Sequence, residues 1–280
     1  ADALPTELTF LGTLNSIADV FGFVKHFSEK RFSKNKNKDV NVIIINDGST
    51  DNTSFWIDKA CEDFYDLKIN VINLIENKGK KYALYKGILE SRSKFFITID
   101  SDSVIKKNSI KNILKPFNDP LIGAVAGNIQ VENILNGYIP GMMDVIFVFS
   151  YEFLKSAQSK TGHVLCTPGA LSAYRKSAVM PILEEWLNQK FLNEYTIIGE
   201  DRALSSLLIK NDWKVVYQSS AIAYTTIPEN YCNFCKMLLR WVRGDIRENI
   251  LMFPYVIKKL SFKNFKSIIL FLHYISFNIG

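Results

Sequence analysis

Short apolar runs with polar ends alternate with amphipathic stretches along the first hundred residues. Leu8-Thr9-Phe10-Leu11 reads as a first strand stopping at Gly12. Ile17, Val20, Phe21, Val24 and Phe27 then recur at helical spacing and form one apolar face. A polar, Lys/Asn-rich loop from Arg31 to Asp39 leads to Val40-Asn41-Val42-Ile43-Ile44-Ile45, a second strand. Ile69 to Leu74 is a third and Phe95-Phe96-Ile97-Thr98-Ile99 a fourth. Runs this apolar and β-branched suit burial on both faces, as in a parallel sheet. The alternation from Leu8 to Asp102 therefore predicts a doubly wound parallel sheet.

Beyond Asp102 the pattern changes. Gly123 to Val131 reads as another strand. Gly141 to Leu154 is apolar and aromatic but carries Asp144 and Glu152, so a buried or interfacial helix fits better than a membrane span. His163 to Arg175 reads as strand, turn, strand, and Gly199-Glu200-Asp201-Arg202 as the entry to a helix. From Tyr231 to Ile250, Lys236, Arg240, Arg243 and Arg247 form one helical stripe. Phe234, Met237, Leu238 and Trp241 lie opposite, and Asp245 interrupts that apolar side. The run from Ser267 to Gly280 follows Lys258, Lys259, Lys263 and Lys266 and reads as the start of a transmembrane or interfacial helix, with a core helix as the alternative.

Composition narrows the setting. The chain has 280 residues, 48% of them hydrophobic, enough for one large α/β domain or a domain with an appendage. Four cysteines are too few and too uneven for a disulfide scaffold, and Cys232-x-x-Cys235 lacks the second pair of a zinc site. A reducing, cytoplasmic setting fits. The N-terminus shows no signal-peptide pattern and no Met, which suggests an excised segment. The net charge of +6 is concentrated after Ala221, where eight basic residues meet three acidic ones. Such a basic, apolar end suits a phosphate-rich partner or an anionic membrane surface. No nucleic-acid motif accompanies it, so no nucleic-acid partner is expected.

The candidate chemistry sits where strands end. Asp100-Ser101-Asp102 follows the fourth strand, and ligands of open α/β sheets bind beyond those carboxyl ends. Two carboxylates are hard oxygen donors suited to Mg2+ or Mn2+, although an acidic turn alone has the same sequence. An EF-hand is excluded, because Ser103-Val104-Ile105 lacks its third oxygen ligand and its glycine. Asp47 ends the second strand, as part of a turn or as an acceptor for a base N–H. Asn77-Lys78-Gly79-Lys80 opens a helix, where lysines suit either a bound anion or a solvated surface. Glu200 and Asp201 suit the first turn of a helix in any case.

Taken in order, these pieces resemble the processive family 2 glycosyltransferases, in particular hyaluronan synthases and chitin or chitin-oligosaccharide synthases. The likeness runs from about Leu8 to Ile250. It rests on Ile45-Asn46-Asp47-Gly48-Ser49-Thr50-Asp51, Asn77-Lys78-Gly79-Lys80 and Asp100-Ser101-Asp102-Ser103. Further on come Ala157 to Gly162 with Cys166-Thr167-Pro168-Gly169, then Trp186 to Leu192, Gly199-Glu200-Asp201-Arg202 and Arg240-Trp241. The chain departs from the family at four places. Met237 stands for the glutamine of Gln-x-x-Arg-Trp, Thr167-Pro168-Gly169-Ala170 for Ser-Gly-Pro-Leu, and Asn46 for an aspartate. Gly12 to Ser16 is a poor form of the Pro-x-Tyr-Asn-Glu opening.

The resemblance implies a GT-A fold, a Rossmann-like, mixed but mostly parallel sheet flanked by helices, with C-terminal interfacial helices. Residues 1–230 would be catalytic, with 1–103 binding nucleotide and 104–230 binding acceptor; 231–280 would hold the interfacial helices and the start of a possible membrane segment. It implies that Asp47 binds uracil, Lys80 lies by the nucleotide, and Asp100 lies against ribose or sugar. Asp102 would ligate Mg2+ or Mn2+ on the diphosphate, Asp201 act as general base, Arg240 steady the diphosphate and Trp241 line the acceptor site. Glu200, Arg202 and Cys166 join the expected substrate-binding set. The implied activity is inverting transfer from a UDP-sugar, N-acetylglucosamine and/or glucuronic acid, to a growing β-linked glycan. The implied place is the cytoplasmic face of a membrane. An idle UDP-sugar-binding module, or a non-processive transferase acting on a lipid or oligosaccharide, is the alternative.

Overall fold

The computed structural model describes residues 8–14, 40–65 and 68–260. The helix expected over Ile17 to Phe27, the loop from Arg31 to Asp39 and the apolar run from Ser267 lie outside them.

The apolar runs form the expected strands: β1 (Leu8–Leu14), β2 (Val40–Asn46), β3 (Lys68–Asn73) and β4 (Phe95–Asp100). After them come β5 (Val104–Ile105), β6 (Ile122–Val131), β7 (Ser172–Arg175) and β8 (Lys214–Thr225). All eight lie in one sheet, in the order β3-β2-β1-β4-β7-β6-β8-β5. Strands from both expected halves of the catalytic region therefore share it.

The first four strands pair in parallel, with β1 central. Chain order reverses between β1 and β4, which opens a crevice beyond their carboxyl ends. Burial follows the sequence pattern: Ile44, Ile45, Phe96 and Ile97 are fully enclosed, as in a sheet covered on both faces.

The sheet is mixed, not wholly parallel. β7 runs antiparallel between β4 and β6, and β5 antiparallel to β8. Only Ser172–Arg175 of the expected strand-turn-strand is a strand; His163 makes a single bridge to Val215. The intervening backbone finds side-chain partners instead. Leu165 N donates to Gln158 Oε1 and Thr167 N to Ser205 Oγ, so the segment needs no ladder.

Among the described residues, the helices that matter for the site are α1 (Thr53–Asp63), α2 (Lys80–Glu90), α3 (Ser109–Leu114), α4 (Tyr138–Val148), α5 (Leu183–Leu187), α6 (Glu200–Lys210) and α7 (Tyr231–Lys259). After Val148, α4 widens into a π-helix over Phe149–Lys155 and resumes as α-helix over Ser156–Thr161. Among the described residues, no helix is long and apolar enough to cross a membrane.

Candidate active site

Two glycines set the entry of the helices that bring charge to the crevice. Gly79 (φ 87°) precedes α2, and Gly199 (φ 69°) precedes α6; both angles favour glycine. Lys80 follows the first, and Glu200 and Asp201 the second. Lys80 Nζ lies 2.5 Å from Asp100 Oδ1 at the end of β4 and 3.2 Å from Glu200 Oε1. Asp201 lines the same recess, with Gly169, Tyr174, Trp186 and the apolar Leu84 and Ile88. Residues more than a hundred positions apart thus meet around one ammonium.

Their protonation follows from that enclosure. Burial alone lowers the pKa of the Lys80 ammonium, but Asp100 and Glu200 outweigh it and hold the pKa well above the usual lysine value. Glu200 is pushed up by burial but brought below the ordinary carboxylate range by Lys80, its backbone and Arg240. Asp201 goes the other way: burial and the charge of Glu200 push it up to about 6, against the pull of Lys80. Cys166 Sγ lies 3.6 Å from Asp201 Oδ2, and burial pushes its thiol up, so it stands there as a neutral donor.

Gly169 shapes the floor. A Cβ at this position would lie 2.7 Å from Lys80 Nζ and 2.9 Å from both Asp100 carboxylate oxygens. A side chain here would make the Lys80 ammonium or the Asp100 carboxylate shift. The Pro-Gly order of this segment, read from the sequence as a departure, puts the smallest residue against the ion pair.

Asp47 directly follows β2, is buried, and accepts a hydrogen bond from Lys78 N at 2.9 Å. Gly48 (φ 67°) lets its chain pass the segment from Glu76 to Asn77, where a Cβ would come within 2.4 Å of backbone. Asn46 carries no charge but ties the turn together, donating to Ser54 Oγ and Asn73 Oδ1 and accepting from Ser49 N.

Asp102 is exposed, in the turn after Asp100. Among the described residues no group of three or more His, Cys, Asp or Glu side chains could hold a metal. Mg2+ and Mn2+ need no such cage, since one or two carboxylates suffice when phosphates and water complete the shell. An exposed hard-oxygen donor two residues beyond Asp100 fits that chemistry.

The remaining expected residues divide. Arg240 is exposed on α7, and its charge reaches Glu200. Trp241 is partly open to solvent, its ring 6.2 Å from that of Phe147 on α4, which in turn contacts Tyr151. Arg202 does not face the recess as expected of a substrate contact. It is buried, bonding Asp245 at 2.8 Å and Asn249, and so ties α6 to α7. That pair also explains why Asp245 interrupts the apolar side of α7. Arg247 likewise leaves the solvated stripe and donates to the carbonyl of Ile198.

Sequence reasoning passed over Tyr151, which is buried within electrostatic reach of Cys166, Asp201 and Asp100. It also missed Trp186 Nε1, which donates to the Glu200 carbonyl at 2.8 Å. The only hint was the presence of Trp186 in a quoted motif.

Comparison with known proteins agrees with this architecture. The family profile described as Glycosyl transferase family 2 matches residues 13–183. An N-acetylglucosaminyltransferase of Azorhizobium caulinodans is 30% identical over 213 residues, 76% of this chain and 53% of that one. A hyaluronan synthase of Streptococcus pyogenes is 32% identical over 213 residues, 75% of this chain and 51% of that one. The chain spans about half the length of these curated relatives. The solved structure of the mannosyltransferase PcManGT from Pyrobaculum calidifontis, in complex with GDP-Man and Mn2+, superposes with a TM-score of 0.70 at 16% identity, covering 89% of this chain and 64% of that one. S. aureus TarS gives 0.56 at 16% identity, covering 79% and 37%. These likenesses identify the mixed sheet and its helices as a GT-A fold. With the profile covering more than half of the sequence, the chain belongs to glycosyl transferase family 2.

Proposed function

We propose that this chain is the catalytic part of a metal-dependent, inverting glycosyltransferase that uses a UDP-sugar, N-acetylglucosamine with or without glucuronic acid, to extend a β-linked glycan. The observation that carries the reading is the meeting of Lys80, Asp100, Glu200 and Asp201 in one recess beyond the strand ends, with burial and Glu200 raising Asp201 toward neutrality. The two curated relatives named above support the sugar, since one is an N-acetylglucosaminyltransferase and the other a hyaluronan synthase.

In this reading Asp47 accepts from the base and Lys80 balances the nucleotide's negative charge. Asp102 would hold Mg2+ or Mn2+, which would supply positive charge beside the diphosphate leaving group. Arg240 adds its guanidinium to the same charge as it grows in the transition state. Asp201 takes the proton of the acceptor hydroxyl, a weak nucleophile that otherwise attacks too slowly. A single displacement on an α-linked donor leaves a β-linkage. Trp241 and its neighbour Phe147 give the acceptor an aromatic wall. The exposed apolar side of α7 and the basic end of the chain fit a place at the cytoplasmic face of a membrane.

A donor panel tests this. The purified chain is given UDP-N-acetylglucosamine, UDP-glucuronic acid, UDP-glucose or GDP-mannose with Mn2+ or Mg2+, and released nucleotide and product linkage are measured. Release from the first two with β-linked product is expected. Release only from GDP-mannose, or an α-linked product, removes the reading.

A further inference from the structure

Behind the recess a second polar chain, which the proposed chemistry does not use, joins α2, α7 and the loop before α6. Lys81 is buried, and its Nζ donates to both the carbonyl and the hydroxyl of Thr196 at 3.0 Å. Thr196 Oγ1 donates to Gln189 Oε1 at 3.1 Å, and Gln189 Nε2 reaches Glu248 Oε2 at 3.5 Å. Glu248, on α7, is only 1% exposed and pairs with Arg247 at 3.2 Å. Arg247 donates in turn to the Ile198 carbonyl. Next to it the two backbones touch: a Cβ on Gly244 would lie 3.3 Å from Gly199 Cα.

The segment held in this way, Ile198 to Glu200, ends one residue before Asp201. Enclosing an ammonium and a carboxylate is a poor route to stability, because apolar residues of similar size do as well or better. Fixing geometry is what such a network does well, and a base displaced by a fraction of an ångström from its acceptor loses rate. We propose that the chain Lys81–Thr196–Gln189–Glu248–Arg247, with the Gly199–Gly244 contact, is a positioning device. It sets Asp201 and makes the base move with α7, the helix that carries Arg240 and Trp241. The proposal rests on the reading of Asp201 as base.

Three variants of the full chain test it: Gly244→Ala, Glu248→Gln and Arg247→Lys, assayed for UDP release from UDP-N-acetylglucosamine with Mn2+, donor affinity and Tm. Gly244→Ala is the sharpest, because its Cβ would lie 3.3 Å from Gly199 Cα, so a merely structural contact changes Tm and leaves kcat unchanged. The device predicts kcat lowered about tenfold with donor Kd within about twofold of the parent. Should Glu248→Gln fail to fold, the other two decide. The proposal is overturned if every folded variant keeps kcat within about twofold of the parent. Asp201→Asn, run alongside, separates the two claims. Parent-like turnover there removes the base itself, whereas a dead Asp201→Asn beside unaffected Gly244→Ala and Arg247→Lys removes only the device.

Discussion

Asp201 owes its raised pKa first to burial and then to Glu200, and both effects disfavour the charged form. The sign for stability follows. Folding favours the protonated acid, so its contribution is complete below the ordinary carboxylate pKa and is lost as pH rises through about 6. Activity runs opposite, because a base works only when ionised. We expect kcat to fall about tenfold per pH unit below pH ~6, measured as UDP release between pH 4.5 and 8. A rate that stays level down to pH ~4, the ordinary carboxylate range, contradicts the assignment. Gly169 gives a second prediction at this scale. Gly169→Ala places a methyl against Lys80 and Asp100, so it parts the pair and weakens UDP binding in a titration, with Tm little changed. The types of these residues were legible in the sequence, since Asp-x-Asp and Gly-Glu-Asp carry their chemistry on their face. The partner of each was not. Nothing in the order of residues says that Lys80 bonds Asp100 and Glu200, or that Gly169 makes room for it.

Elements were legible where burial alone decides them. β2, β4 and β6 are nearly all apolar and enclosed, and their boundaries fall within a residue or two of the pattern. The segment from His163 to Leu171 was not, because its apolar Val164 and Leu165 are buried in a loop where Leu165 N and Thr167 N bond side chains rather than a neighbouring strand. The π-helical turn over Phe149–Lys155 likewise has no signature in hydrophobic spacing. Helix α7 shows how a broken pattern carries information. Asp245 spoils its apolar side because Arg202 of α6 is waiting there. Asp245→Ala takes a carboxylate from this buried guanidinium, and we expect a loss of about 2 kcal/mol, read from urea unfolding. Unchanged stability contradicts a tying role for the pair.

At the scale of the molecule, the parallel first half of the sheet was predictable from alternation, whereas the antiparallel β7 between β4 and β6 was not. Strand order depends on contacts made across the chain, and periodicity reports only local burial. Among the described residues, Val145, Phe149 and Phe153 along α4 and its π-helical turn, and Ile246 and Ile250 on α7, are exposed apolar side chains. Both groups lie on helices linked through Phe147 and Trp241. Apolar area of this kind usually has a partner. We expect the chain to float with vesicles containing anionic lipid, to be partly released by salt, and to bind less after Phe149→Ser with Phe153→Ser. Equal binding by that double variant assigns the attachment elsewhere.

The central claim is that Lys80, Asp100, Asp102, Asp201 and Arg240 serve one nucleotide sugar. It is tested most directly by comparing the parent with Asp201→Asn for both binding of UDP-N-acetylglucosamine with Mn2+ and release of UDP. The account predicts donor affinity within about twofold and turnover reduced at least a hundredfold. Parent-like turnover in the variant, or no binding of the donor by either protein, contradicts it.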